Sequence, residues 1–199
     1  MKSAGVKAVI GAVLVIASAL VSVAAVQATG GLPAGLSGGT SGLEKASEAV
    51  DPSAKLTRQV EFLASFSGTD PTAAVRGLRR VRHELRDAET DIYMFRSDRG
   101  RPCVVVPDWV SFCEPDSGTS TPGLDWNIGG GDAQTPSRFI AVYSDDVAQI
   151  ILKIDGSNVR VSMAENIAYA EFPADSDKAV FTAIREDGRE NSVRLNLAG

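Results

Sequence analysis

The residues of this chain best able to do chemistry are its two cysteines, its single histidine and its two tryptophans. Cys103 and Cys113 bracket the nine residues VVVPDWVSF. If they face each other across an antiparallel pair, the axis runs through Asp108, so Val104 opposes Phe112 and Val106 opposes Val110. Directly opposed strand residues lie ~4.5–5.5 Å apart at Cα, within the span of a disulfide. Pro107–Asp108 suits a type I turn at the tip. Closing this loop would contribute about 2–3 kcal/mol through loss of unfolded-chain entropy. There is no C-x-x-C redox motif, and a zinc site needs more ligands of this kind. A structural disulfide is expected.

Trp109 sits beside the hairpin tip and Trp126 lies further along in a Gly/Ser-rich stretch. Large amphipathic rings dominate contact energy, so both are candidate contact residues for a partner; the alternative is that each folds onto its own domain. His83 would have to serve any Ser-His-Asp or Cys-His catalyst. It lies in RGLRRVRHELRD, where neighbouring positive charge disfavours a protonated base, and a solvated helix position is the expectation. Arg76, Arg79, Arg80, Arg82, Arg86, Arg96, Arg99 and Arg101 could face anionic headgroups or wall polyanions, but Glu84, Asp87, Glu89, Asp91 and Asp98 interleave with them as on an ordinary charged face. NIGGGDAQ, residues 127–134, lacks the G-K-[ST] ending of a phosphate loop. Asp175 and Asp177 match no EF-hand. No catalytic, cofactor-binding or metal-binding residue is assigned, and no cofactor is implied.

Lys2 and Lys7 lead into the uncharged run AVIGAVLVIASALVSVAAV, residues 8–26, and small residues follow at 26–28. Residues 1–28 therefore read as a cleaved signal peptide or, since the run approaches the ~20 residues that span a bilayer, a retained transmembrane anchor. Either address is extracytoplasmic, secreted or membrane-anchored, with the N-terminus left in the cytoplasm. Without this leader the chain holds 18 basic against 25 acidic residues, a net charge of −7 that argues against nucleic-acid binding. Residues 29–42, TGGLPAGLSGGTSG, read as a flexible linker.

Residues 43–89 read as a helical segment. Asp51–Pro52 and Asp70–Pro71 are start signals, and the spacing of Leu56, Val60 and Leu63, then of Val75, Leu78 and Leu85, predicts helices over about 43–64 and 71–87. From residue 90 the texture is that of strands. DIYMF, CVVV and VSFC are followed by a ~24-residue loop, 114–137, a length that marks a functional or mobile segment. Beyond it, QIILKI and VRVSM alternate around Asp155–Gly156, and a second Asp-Gly at 187–188 precedes the last strand. Six short strands in about 60 residues suggest an antiparallel sandwich.

The stretch FIAVYSDDVAQIILKIDGSNVRVSMAENIAYAEFP, with VFTAIREDGRENSVRLNL and the cysteine pair, resembles a group of uncharacterised exported bacterial proteins. Members carry a signal or anchor, a two-cysteine middle region and an Ig-like C-terminal half. The resemblance covers about residues 90–199 and implies no catalytic motif.

The expected fold is mainly β: a disulfide-bearing, Ig-like antiparallel β-sandwich over 90–199, preceded by one or two short helices and the apolar N-terminal helix. The expected role is that of an exported or membrane-tethered envelope module that binds another, unknown macromolecule without catalysis. A purely structural envelope component is one alternative. The other is a hydrolase using two carboxylates in a sandwich groove, which would need them ~5–10 Å apart.

Overall fold

The computed structural model describes residues 39–48, 52–85, 89–113, 124–132 and 134–197. The predicted leader and most of the linker lie outside the described residues. A 3-10 turn, Ser41–Glu44, and the short strand β1 (Ser47–Glu48) precede the helices α1 (Ala54–Phe66) and α2 (Pro71–Arg76). The first sheet continues with β2 (Arg79–Glu84), β3 (Glu89–Arg96), β4 (Pro102–Val105) and β5 (Ser111–Cys113). Then follow β6 (Leu124–Gly129), β7 (Ser137–Tyr143), β8 (Val147–Ile154), β9 (Ser157–Val159), β10 (Ser162–Ala164), β11 (Ile167–Phe172), β12 (Lys178–Arg185) and β13 (Glu190–Asn196).

Three antiparallel sheets result, with strand orders β1-β2-β3-β4-β5, β10-β11-β7-β6 and β13-β12-β8-β9. The mainly-β reading holds. Each hairpin is set by its turn. Asp155 and Gly156 both have positive φ, as the two-residue turn between Ile154 and Ser157 demands. Glu165 and Asn166 make the same device without a glycine, between Ala164 and Ile167. Strands β6–β9 run edge, centre, centre, edge through the second and third sheets, and β10–β13 repeat that path beside them.

Side-chain alternation stacks the layers. In the second sheet Ile140, Val142, Ile167 and Tyr169 pack with Val81, Ile92, Met94 and Val104 of the first. Their immediate neighbours Phe139, Ala141, Ala168 and Ala170 pack with Ile150, Leu152, Ala179 and Phe181 of the third. The second sheet is thus buried on both faces. On its other side the first sheet carries the helices: Leu56, Val60, Leu63, Ala74 and Leu78 cover Phe95, Cys103 and Val105. The order is helices, sheet, sheet, sheet.

Three expectations are corrected. The helix expected over 71–87 ends at Arg76, and residues 79–84 form β2. Gly77 stops the helix, and Val81 and His83 turn inward between exposed Arg82 and Glu84, a period of two that the helical spacing of Leu78 and Leu85 passes over. The helix expected over 43–64 begins at Ala54, capped by Ser53, whose Oγ accepts from the Leu56 amide at 3.2 Å. The long loop 114–137 contains β6, whose Trp126 and Asn127 pair with Ala141 and Ile140.

A strand buried on both faces makes a testable prediction. Phe139→Ala and Ile140→Ala, at consecutive positions facing opposite layers, should each cost about 2–5 kcal/mol in urea unfolding. In a two-layer sandwich one of the two would face water and cost far less.

Candidate functional site

The disulfide joins Cys103 to Cys113, directly opposed across β4 and β5, with Val104 opposite Phe112 as the spacing implied. The tip differs in detail. The Trp109 amide donates to the Val106 carbonyl at 3.2 Å, and Asp108 at the third position has φ of 62°, the mark of a type II rather than a type I turn. Lys55 of α1 forms an ion pair with Asp108, fixing the helix start to the hairpin tip.

At the other end of α1 a groove of about 670 Å³ opens between the helix and the edge strand β5. Phe62, Leu63 and Phe66 of α1, Arg99 and Arg101 of the turn after β3, and Ser111 and Cys113 of β5 line it. Leu56, Val60 and Leu63 already supply the stripe that α1 buries. Phe62 and Phe66, one turn apart, lie off that stripe and are 74% and 84% exposed. Among the described residues no acidic side chain lines the groove.

The turn carrying the arginines is braced. Ser97 exchanges backbone hydrogen bonds with Gly100 and Arg101, and the Asp98 amide donates to Thr69 Oγ1 at 3.2 Å. Arg96 reaches two segments at once: it donates to the Gly100 carbonyl at 2.9 Å and to Thr40 Oγ1 at 3.2 Å. The start of the described chain therefore sits at the groove end of the first sheet.

That start is itself clamped. The Ser41 amide donates to both Asp145 carboxylate oxygens, at 2.9 and 3.1 Å, and Asn166 Nδ2 donates to Asp145 Oδ1 at 3.0 Å. The Ser41 amide contributes most to holding the Asp145 carboxyl below the usual carboxylate range. A Cβ on Gly42 would collide with Asn166 Oδ1, so glycine is required for this approach. Asp146 pairs with Arg185 of β12. The SDD turn and the Asn166 bend hold residues 39–43, part of which reads from sequence as linker, with Leu43 buried between sheets.

Neither tryptophan lines the groove. Trp109 is half-buried, lies against Gly130, and has the Arg138 guanidinium 5.9 Å from its ring centroid. Arg138 continues to Glu171 at 3.6 Å, and Glu171 accepts from Tyr169 Oη at 2.8 Å. Trp126 packs edge-on against Phe181, 4.8 Å between centroids, in the core of the second and third sheets.

His83 departs most from expectation. It is fully buried on β2, with Nδ1 3.2 Å from Ser162 Oγ and its ring 6.1 Å from that of Tyr169. Burial pushes its pKa down to about 4, with hydrogen bonding to Ser162 working the other way. Its Nε2 has no hydrogen-bond partner among the described residues. A catalytic serine–histidine pair needs an acid orienting that second nitrogen. The contact instead fastens the first sheet to β10 at the edge of the second.

The arginines do not form one patch: Arg76 bonds back to Thr72 on α2, Arg96 holds Gly100 and Thr40, and Arg86 lies outside the described residues. Arg80 and Arg82 pair with Asp91 on β3, Arg82 also with Glu89, and Arg99 and Arg101 stand at the groove. Among the described residues no three His, Cys, Asp or Glu side chains group as metal ligands, and no helix is long and apolar enough to cross a membrane. The apolar run 8–26 lies outside them. The sequence reading assigned no role to Phe62 and Phe66; the available signal was two phenylalanines at i, i+4 offset from the Leu56–Val60–Leu63 stripe. The chain matches no protein-family profile, no curated protein and no solved structure.

Two predictions follow from these contacts. In the folded state His83 titrates near 4 against about 6.5 unfolded, so the unfolded chain binds more protons between these values and stability falls as pH drops through that window. From pH 7 to 5 the wild type should lose about 2 kcal/mol more than a His83→Gln variant in urea unfolding. For the cysteines, a thiol assay on non-reduced protein should find none reactive, and a Cys103→Ala/Cys113→Ala variant should be about 2–3 kcal/mol less stable.

Proposed function

We propose that the chain is an extracytoplasmic envelope module, exported or held to the membrane by residues 8–26, that binds another component of the envelope without catalysis. The observation that carries this reading is the groove beside the disulfide, lined by two exposed phenyl rings and two arginines. Apolar side chains displayed at the rim of a concavity, outside a core already complete, mark a contact surface. The disulfide supports an oxidising compartment, and the net charge of −7 outside the leader speaks against nucleic acid as the partner.

We read the second and third sheets as an Ig-like sandwich, because the chain crosses repeatedly between two packed antiparallel sheets. Such a scaffold displays surfaces and specifies no chemistry by itself.

Photo-crosslinking in intact native cells tests the reading. A benzophenone amino acid in place of Phe66 should give a reproducible adduct with an envelope component. The same probe in place of Asn158, exposed on the edge strand β9 of the third sheet, should not. Absence of any adduct from position 66 would refute a binding role for the groove.

A further inference from the structure

We propose that the groove-bearing end of the protein docks on the bilayer itself, with Phe62 and Phe66 inserted at the boundary between headgroups and acyl chains. This rests on the reading of residues 8–26 as a membrane tether and names the partner of the groove.

The first support is position. Thr40, near the start of the described chain, and Gly100, in the turn that lines the groove, are both held by Arg96. The Asp145–Asn166 clamp then fixes the direction in which the chain leaves. Thirteen residues lead from Val26, the end of the apolar run, to Gly39, and they are rich in glycine. A flexible chain of that length has a root-mean-square span of about 20 Å. The chain thus leaves the body beside the 97–101 turn of the groove, at the end of the stack where the 144–146 and 185–188 turns also lie.

The second support is chemistry. Phe62 and Phe66 lie one helical turn apart, and Arg58, exposed one turn earlier, shares their flank of α1. Arg99 and Arg101 line the same groove. Aromatic side chains with cations beside them suit a membrane interface; Glu61 on α1 and Asp98 on the turn are exposed as well. Two phenyl rings alone bind a bilayer weakly. Behind a tether the local bilayer concentration is high, and weak insertion suffices to orient the domain.

Segments of the same chain offer little cover. Residues 114–123, EPDSGTSTPG, continue from Cys113 in the groove lining and contain no aliphatic or aromatic side chain beyond proline. Residues 27–38 contain only two leucines, Leu32 and Leu36, among small residues.

The test uses the full chain reconstituted in vesicles of phosphatidylcholine and phosphatidylglycerol that carry a photoactivatable lipid. Mass spectrometry should find lipid adducts on two segments, 8–26 and 54–66. A Phe62→Ser/Phe66→Ser variant should keep the first set, lose most of the second, and unfold at the same urea midpoint, because both rings are exposed. Adducts on 8–26 with none on 54–66 overturn the docking proposal and leave the tether standing. Adducts on 54–66 that survive the double substitution overturn it as well. Absence of adducts on 8–26 overturns the tether reading. If the position-66 probe in cells attaches to a protein or to a second copy of the chain rather than to lipid, that partner replaces the bilayer.

Discussion

Every other feature of this protein depends on the second sheet being dry on both faces. β7 and β11 have no solvent side: Ile140 and Val142 meet the first sheet while Phe139 and Ala141 meet the third. Such strands must be apolar at consecutive positions, which is why FIAV and IAYA carry no alternation. The two faces are also filled differently. Ala141, Ala168 and Ala170 leave room for Leu152 and Phe181, whereas the opposite face uses Ile140, Ile167 and Tyr169. Interior packing to crystal-like density permits little slack in either direction.

That doubly buried layer makes a rigid base for the surface farthest from the third sheet. α1 is held by its buried stripe, Leu56, Val60 and Leu63, with an exposed ion pair to Asp108 at one end and the Thr69–Asp98 contact just past the other. The disulfide secures the edge strand that lines the groove. Two contacts join the first and second sheets: buried His83 meets Ser162, and half-buried Trp109 stands against Arg138, which pairs with Glu171 of the next strand. A contact surface built on this base can meet a partner without ordering itself first, which lowers the entropic cost of binding.

Local signals in the sequence were legible and long-range ones were not. The register of Cys103 against Cys113 followed from counting about Asp108, and the Asp-Gly pairs located two hairpins. β2 was misread because Leu78 and Leu85 satisfy a helical period while the decisive pair, Val81 and His83, satisfies a strand period. β6 was hidden among glycines and polar residues, since its partner β7 supplies most of the apolar surface. The stacking of three sheets could not be inferred, because an uninterrupted apolar run is equally consistent with a buried helix or a strand covered on two sides. The clamp on residues 39–43 joins positions more than 100 residues apart, and neither end announces the other. The groove was half legible: its phenylalanines stand off the helix stripe, but the arginines come from a turn that only tertiary structure brings near.

Native-state hydrogen exchange across a urea series tests most directly whether the middle sheet binds the layers into one body. The account predicts that amides of residues 92–95, 139–142, 167–170 and 179–183, drawn from all three sheets, lose protection together at the global unfolding free energy. Release of the first-sheet amides at lower urea, with the second and third sheets still protected, would contradict it. The groove would then rest on a separately unfolding layer.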